Sequence, residues 1–79
     1  MKVKVRLFGL LSKRAADYDH TRGIDLDVQE GTTYRALTSA LHLSIAEAGV
    51  FTTGGTLKRP DDCVGDGEEV HIFMPVGGG

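Results

Sequence analysis

Lys2-Val3-Lys4-Val5-Arg6-Leu7-Phe8 alternates without a break: Val3, Val5 and Leu7 fall on one side of an extended chain, Lys2, Lys4 and Arg6 on the other. A period of two is that of a strand with one covered face and one wet face. The chain must therefore supply partners for that strand and something to cover its apolar side. Gly23 to Val28 repeats the pattern, with Ile24, Leu26 and Val28 inward and Asp25 and Asp27 outward. Glu69 to Met74 repeats it again, with Val70, Ile72 and Met74 on one face and His71 and Phe73 on the other. An antiparallel hairpin of the first two strands would set Asp25 and Asp27 against Lys4 and Arg6. Such cross-strand pairs contribute about 0.2–1 kcal/mol each and help fix register.

The cover is predicted from the middle of the chain. Gln29-Glu30-Gly31 reads as a turn, and Thr32 or Thr33 can cap a helix through its hydroxyl. Tyr34, Leu37 and Leu41 then recur at helical spacing, with Ala36 and Ala40 allowing close approach to a sheet. His42 reads as a solvated residue at the helix end, where positive charge suits the dipole. Ser44-Ile45-Ala46-Glu47 has the form of a capping box that opens a second short turn, closed by Gly49. Leu10 to Asp17 suggests a short helix or helical turn, followed by a loop from Tyr18 to Arg22. Val50 to Thr53 suggests a strand, Gly54-Gly55 a hairpin turn, and Thr56-Leu57 its return. Lys58 to Gly67 is rich in turn formers, and Cys63 and Val64 are expected to tuck beneath it, Cys63 as a small buried hydrophobe.

The expected core is Val3, Val5, Leu7, Ile24, Leu26, Val28, Leu37, Leu41, Val70 and Ile72. Seventy-nine residues make one small domain, which buries only about 60% of its unfolded surface. The order strand, strand, helix, then further strands predicts an α+β fold of the β-grasp kind. It would have a mixed sheet of four to five strands with one main helix across one face. The right-handed crossover rule makes the first and last strands parallel neighbours. The domain is expected over 1–74, with 75–79 as a glycine tail.

Composition narrows the function. Net charge is -2 and 25% of residues are charged, which does not fit a nucleic-acid face with clustered Lys and Arg. No apolar run approaches the ~20 residues of a membrane span. The start of the chain lacks the continuous apolar region of a signal peptide, so a cytoplasmic protein is expected. Cys63 is the one cysteine, and His20, His42 and His71 show no metal-ligand spacing to it. Asp61-Asp62 and Glu68-Glu69 read as solvated pairs rather than a catalytic dyad. Gly54-Gly55 lacks the following helix of a phosphate loop.

What remains is Pro75-Val76-Gly77-Gly78-Gly79. Three glycines strip the backbone of side chains, which suits a segment drawn into a narrow slot. A carboxylate at Gly79 is inert until activated. ATP can turn it into an acyl-adenylate, which sulfur or an amine can then attack. Phe73 and His71, on the sheet face away from the helix, are the candidate partner contacts.

Three stretches then carry a resemblance: Lys2-Val3-Lys4-Val5-Arg6-Leu7-Phe8; Glu30-Gly31-Thr32-Thr33 leading into the helix; and Gly65-Asp66-Gly67-Glu68-Glu69-Val70 leading to Phe73-Met74-Pro75-Val76-Gly77-Gly78-Gly79. Together they resemble the MoaD/ThiS family of ubiquitin-like sulfur carriers. The length of Leu10 to Arg22 and the Pro-Val-Gly ending resemble the molybdopterin synthase small subunit most. The resemblance implies a β-grasp fold and a Gly79, preceded by Gly78, that an E1-like adenylyltransferase of the MoeB/ThiF type activates with ATP. The product would be a thiocarboxylate. It also implies a sulfur donor such as a cysteine desulfurase or rhodanese, and the large subunit of molybdopterin synthase, or another acceptor, as recipient. No cofactor would be bound, and the chain would be a co-substrate rather than an enzyme. Thiamine thiazole synthesis, another thiolation route, protein modification through Gly79 and a binding module with an inert tail stay open.

Overall fold

In a computed structural model, residues 1–13, 18–44, 46 and 48–75 are described. The elements are β1 (Lys2–Leu7), a 3-10 helix (Gly9–Lys13), β2 (Ile24–Asp27), α1 (Tyr34–Ala40), β3 (Val50–Thr53), β4 (Thr56–Lys58) and β5 (Glu69–Phe73). The strands form one mixed sheet in the order β2-β1-β5-β3-β4. β1 and β5 run parallel side by side, and the other pairings are antiparallel. This is the expected α+β arrangement, with all five strands present.

Alternation sets the faces. Val3, Val5 and Leu7 of β1, Phe51 of β3, and Val70 and Ile72 of β5 are buried, and Tyr34 and Leu37 of α1 belong to the same apolar cluster. Thr33 caps α1, its hydroxyl accepting from the Ala36 amide at 3.1 Å. The Tyr34 and Arg35 amides donate to the carbonyls of Asp62 and Pro60. The opening amides of the helix thus find partners in the cap and in the Lys58–Gly67 loop, which those bonds hold against α1. At the other end the Leu43 amide bonds to the Thr38 carbonyl and the His42 amide to that of Ser39. That is a Schellman closure, with exposed His42 at φ 61° where glycine is usual. Among the described residues no helix is long and apolar enough to cross a membrane.

Several expectations are corrected. Cys63 is exposed, with its thiol 3.6 Å from the Gly31 carbonyl. Thr33 and Cys63 form a β-bridge, and in extended chain neighbours point opposite ways, so Val64 takes the inward position. Asp27 lies opposite Lys2 and Asp25 opposite Lys4, which leaves Arg6 to Glu69 on β5 at 3.2 Å. Ile24, Leu26, Val28 and Leu41 are half-buried at the margin of the core. Leu11, Tyr34, Leu43, Ala48, Phe51 and Val64 complete its interior. Met74 follows the parity of Val70 and Ile72 but lies beyond the end of β5 and is 40% exposed. The helical turn expected over Leu10–Asp17 is a 3-10 helix over Gly9–Lys13, and 14–17 lie outside the described residues. So do Ile45 and Glu47 of the expected capping box.

Candidate functional site

β5 lies at the centre of the sheet, between β1 and β3, and the chain continues from its end into Met74 and Pro75. Both are exposed. Val76, Gly77, Gly78 and Gly79, expected to carry the chemistry, lie outside the described residues. The site is therefore built around the place where the tail begins.

On the face away from α1, Phe73 stacks on Phe8 with ring centroids 4.7 Å apart and planes 17° from parallel. His71 lies against the same Phe8 ring at 5.1 Å, and His20 meets it edge-on at 5.1 Å. Val50 sits opposite Phe73 across the β3–β5 pairing. Phe73 and His71 are thus brought together as expected, each half-buried. Phe8, His20 and Tyr18 were not among the residues picked from sequence. Parity could have found Phe8, since it follows Lys4 and Arg6 by even steps. The two loop residues carry no such signal.

The loop is fastened across β1 by polar contacts. The Tyr18 hydroxyl accepts from the Leu7 amide at 2.9 Å and lies 3.0 Å from His20 Nδ1. The Arg6 guanidinium donates to the His20 carbonyl, and the Lys4 ammonium to that of Arg22 at 2.9 Å. Gly23, at φ 71°, lets this segment pass close to β1, where an added Cβ would meet the Val5 carbonyl at 3.1 Å.

Charges beside the aromatic rings are largely compensated. Glu69 meets His71 Nε2 at 2.8 Å and Arg6 Nε at 3.2 Å. The His71 hydrogen bond first, and the Arg6 charge with it, hold the Glu69 carboxyl below the usual glutamate range. Lys4 pairs with Asp25 at 3.6 Å. At the end of the sheet away from the tail, a groove of about 430 Å³ is lined by residues that include Lys2, Lys4, Asp25, Asp27 and Glu68.

The remaining acidic pairs serve the fold. Asp61 makes an ion pair with Arg35 at 3.0 Å, which lowers its carboxyl. Asp62 accepts from the Arg59 amide at 2.9 Å. Glu68 accepts from the buried Tyr34 hydroxyl at 2.8 Å. Burial is the first reason that the Tyr34 phenol is raised above its ordinary 10.0. Among the described residues no group of three His, Cys, Asp or Glu is placed to hold a metal ion.

No protein-family profile matches the chain, and no curated protein matches it. Solved structures do. A protein assigned as subunit 1 of a molybdopterin converting factor, from Pyrococcus furiosus, superposes with a TM-score of 0.72 at 23% identity, over 96% of this chain and 99% of its own. SAMP1 from Haloferax volcanii superposes with a TM-score of 0.69 at 19% identity, over the full length of both chains. At these identities the likeness is one of fold. The chain shares the ubiquitin-like β-grasp architecture of both proteins.

Proposed function

We propose that this chain is a sulfur carrier whose reacting group is the carboxylate of Gly79. The observation that carries the reading is the joining of a β-grasp domain, shared in fold with both relatives, to the run Pro75-Val76-Gly77-Gly78-Gly79 leaving its central strand. In the proposed chemistry an E1-like adenylyltransferase of the MoeB/ThiF type binds ATP. A Gly79 carboxylate oxygen attacks the α-phosphorus, and pyrophosphate leaves. The terminal sulfur of a persulfide, supplied by a donor such as a cysteine desulfurase or rhodanese, attacks the acyl carbon and expels AMP. A thiol then attacks the donor sulfur of the resulting acyl disulfide, the two join in a new disulfide, and Gly79 is released as a thiocarboxylate. Gly78 and Gly77 give the tail its narrow profile, and Val76 and Pro75 connect it to the domain. The chain is a co-substrate, and its partners hold the active sites.

Phe73 and His71, with Phe8 beside them, are the proposed partner-facing contacts. Stacked rings ready-made on an open sheet face offer apolar area at little cost in ordering. The proposed recipient is the large subunit of a molybdopterin synthase, a choice supported by the name of the Pyrococcus furiosus relative.

The test is the intact mass of the chain purified from its native cell, repeated after incubation with cell extract, ATP and cysteine. Replacement of one C-terminal oxygen by sulfur is the expected result. Lysine-linked adducts without sulfur would transfer the reading to a protein modifier, and neither product would overturn it. Sulfur passed to a thiazole synthase, and not to a molybdopterin synthase large subunit, would move the chain to thiamine synthesis.

A further inference from the structure

The tail is short, and its root is apolar. Pro75 to Gly79 is five residues, which fully extended span at most about 18 Å, at roughly 3.3–3.6 Å per residue. The shortest extent of the domain is 22 Å. If Gly79 reacts in a partner's active site, the reading proposed above, the mouth of that site must come up against the domain where the tail begins. A slot opening at the far end of the sheet is out of reach.

Among the described residues, two of the three large apolar side chains that stand exposed are at that place. β1 and β5 are parallel and end together, the Phe8 amide donating to the Ile72 carbonyl at 3.1 Å as the ladder closes. The 3-10 helix begins at Gly9 immediately after this bond and contacts β5. It buries Leu11 and leaves Leu10 62% exposed. Met74, 40% exposed, is the residue between β5 and the tail. The Phe8–Phe73 stack adjoins both in sequence. The charged groove of Lys2, Asp25, Asp27 and Glu68 lies at the opposite end of the strands.

We infer that Leu10 and Met74 form an apolar collar at the tail root, and that its occupant is the apolar rim of the slot into which a partner enzyme draws Gly79. The tether length fixes the location of the contact, and the exposed side chains there fix its chemistry. The same collar would meet each partner that takes the tail, because each faces the same limit of reach. Leu10 acts in capture of the tail rather than in the chemistry at Gly79.

The experiment follows sulfur loading of the full chain by intact mass, in native-cell extract with ATP and cysteine, over a range of chain concentrations. Leu10→Asp and Met74→Asp place a charge in the collar, and Gln29→Asp places one in an exposed turn at the opposite end of the sheet. Dispersed amide spectra check that each variant is folded. The collar variants are expected to load at least tenfold more slowly at low chain concentration and to recover as concentration rises, with Gln29→Asp within twofold of wild type. Collar variants that load like wild type would overturn the collar and leave the carrier reading intact. A loss that high concentration does not recover would also overturn it, since the effect would then lie in the chemical step. A wild-type chain that never loads would overturn the carrier reading, and the collar with it.

Discussion

The two faces of the sheet come from alternate residues of the same strands, yet they are made for different ends. Toward α1 the row Val5, Val70 and the neighbouring row Leu7, Ile72, Phe51 are sealed from water. On the other side Phe8, Phe73 and His71 are also in mutual contact, but each remains partly open. Rings packed against rings occur on both faces, Tyr34 with Phe51 inside and Phe8 with Phe73 outside. What differs is closure: the inner pair is sealed from water, and the outer pair is half-buried.

The sharpest way to break that comparison is to truncate one ring on each face. Phe51→Ala removes a fully buried ring and should cost about 3–5 kcal/mol, a large share of what a domain this small has. Phe73→Ala removes a half-buried stacked ring and should cost less, about 1–3 kcal/mol. Urea unfolding monitored by circular dichroism reads both, and equal losses would mean that the open face is structural after all.

Tyr34→Phe probes the polar seam at the edge of the core, where the phenol meets Glu68 and lies 3.2 Å from the Thr53 hydroxyl. The expected loss is about 1–2 kcal/mol. Because burial raises the Tyr34 phenol above 10.0, the unfolded chain loses that proton first as pH rises. Wild-type stability should therefore fall above about pH 10. The Phe variant, unfolded by urea at a series of pH values, should show a flatter alkaline limb.

His42→Gly relieves the left-handed position at the end of α1 and should stabilise the domain by about 0.5–1 kcal/mol. A thermal melt that falls instead would show that the imidazole contributes more than its backbone strain takes away.

The smallest effect belongs to Glu69→Gln on the open face. The Glu69 carboxyl is held low by His71 and Arg6. Its contribution is complete above the ordinary glutamate value and is lost as pH falls through the lower, folded value. The variant should lose that small contribution at neutral pH, flatten the acid limb of the stability profile and converge with the wild type toward pH 3, by urea midpoints from pH 3 to 7.

Alternation made most of this legible. Residues 2–8, 24–28 and 69–73 declare their faces in sequence because a period of two survives over five or more positions. Helix α1 was legible from Thr33 to Leu41 for the same kind of reason. Phe51 was not marked as core because a four-residue strand gives too few positions to fix a face. Leu43 and Ala48 follow the helix and enter the core through turns, which carry no period. Arg6 was given the wrong partner because sequence shows which charges point outward but not the register between strands. A shift of two residues in that register would set Arg6 against Asp25, whereas the observed one leaves it to Glu69 on β5. Of the candidate site, Phe73 and His71 were readable, whereas His20 reaches Phe8, and Tyr18 the Leu7 amide, only through the path of a loop.

The parallel pairing of β1 with β5 governs when the domain can exist during synthesis. Val5 has no neighbour on that side until Val70 has been made, so the nascent chain holds its first strand half-paired until then. Non-local pairings of this kind slow folding. The sheet closes only once the strand that leads into the tail is present. A ribosome that stalls early releases no folded domain, and the glycines are offered to other proteins only on a chain translated past its last strand.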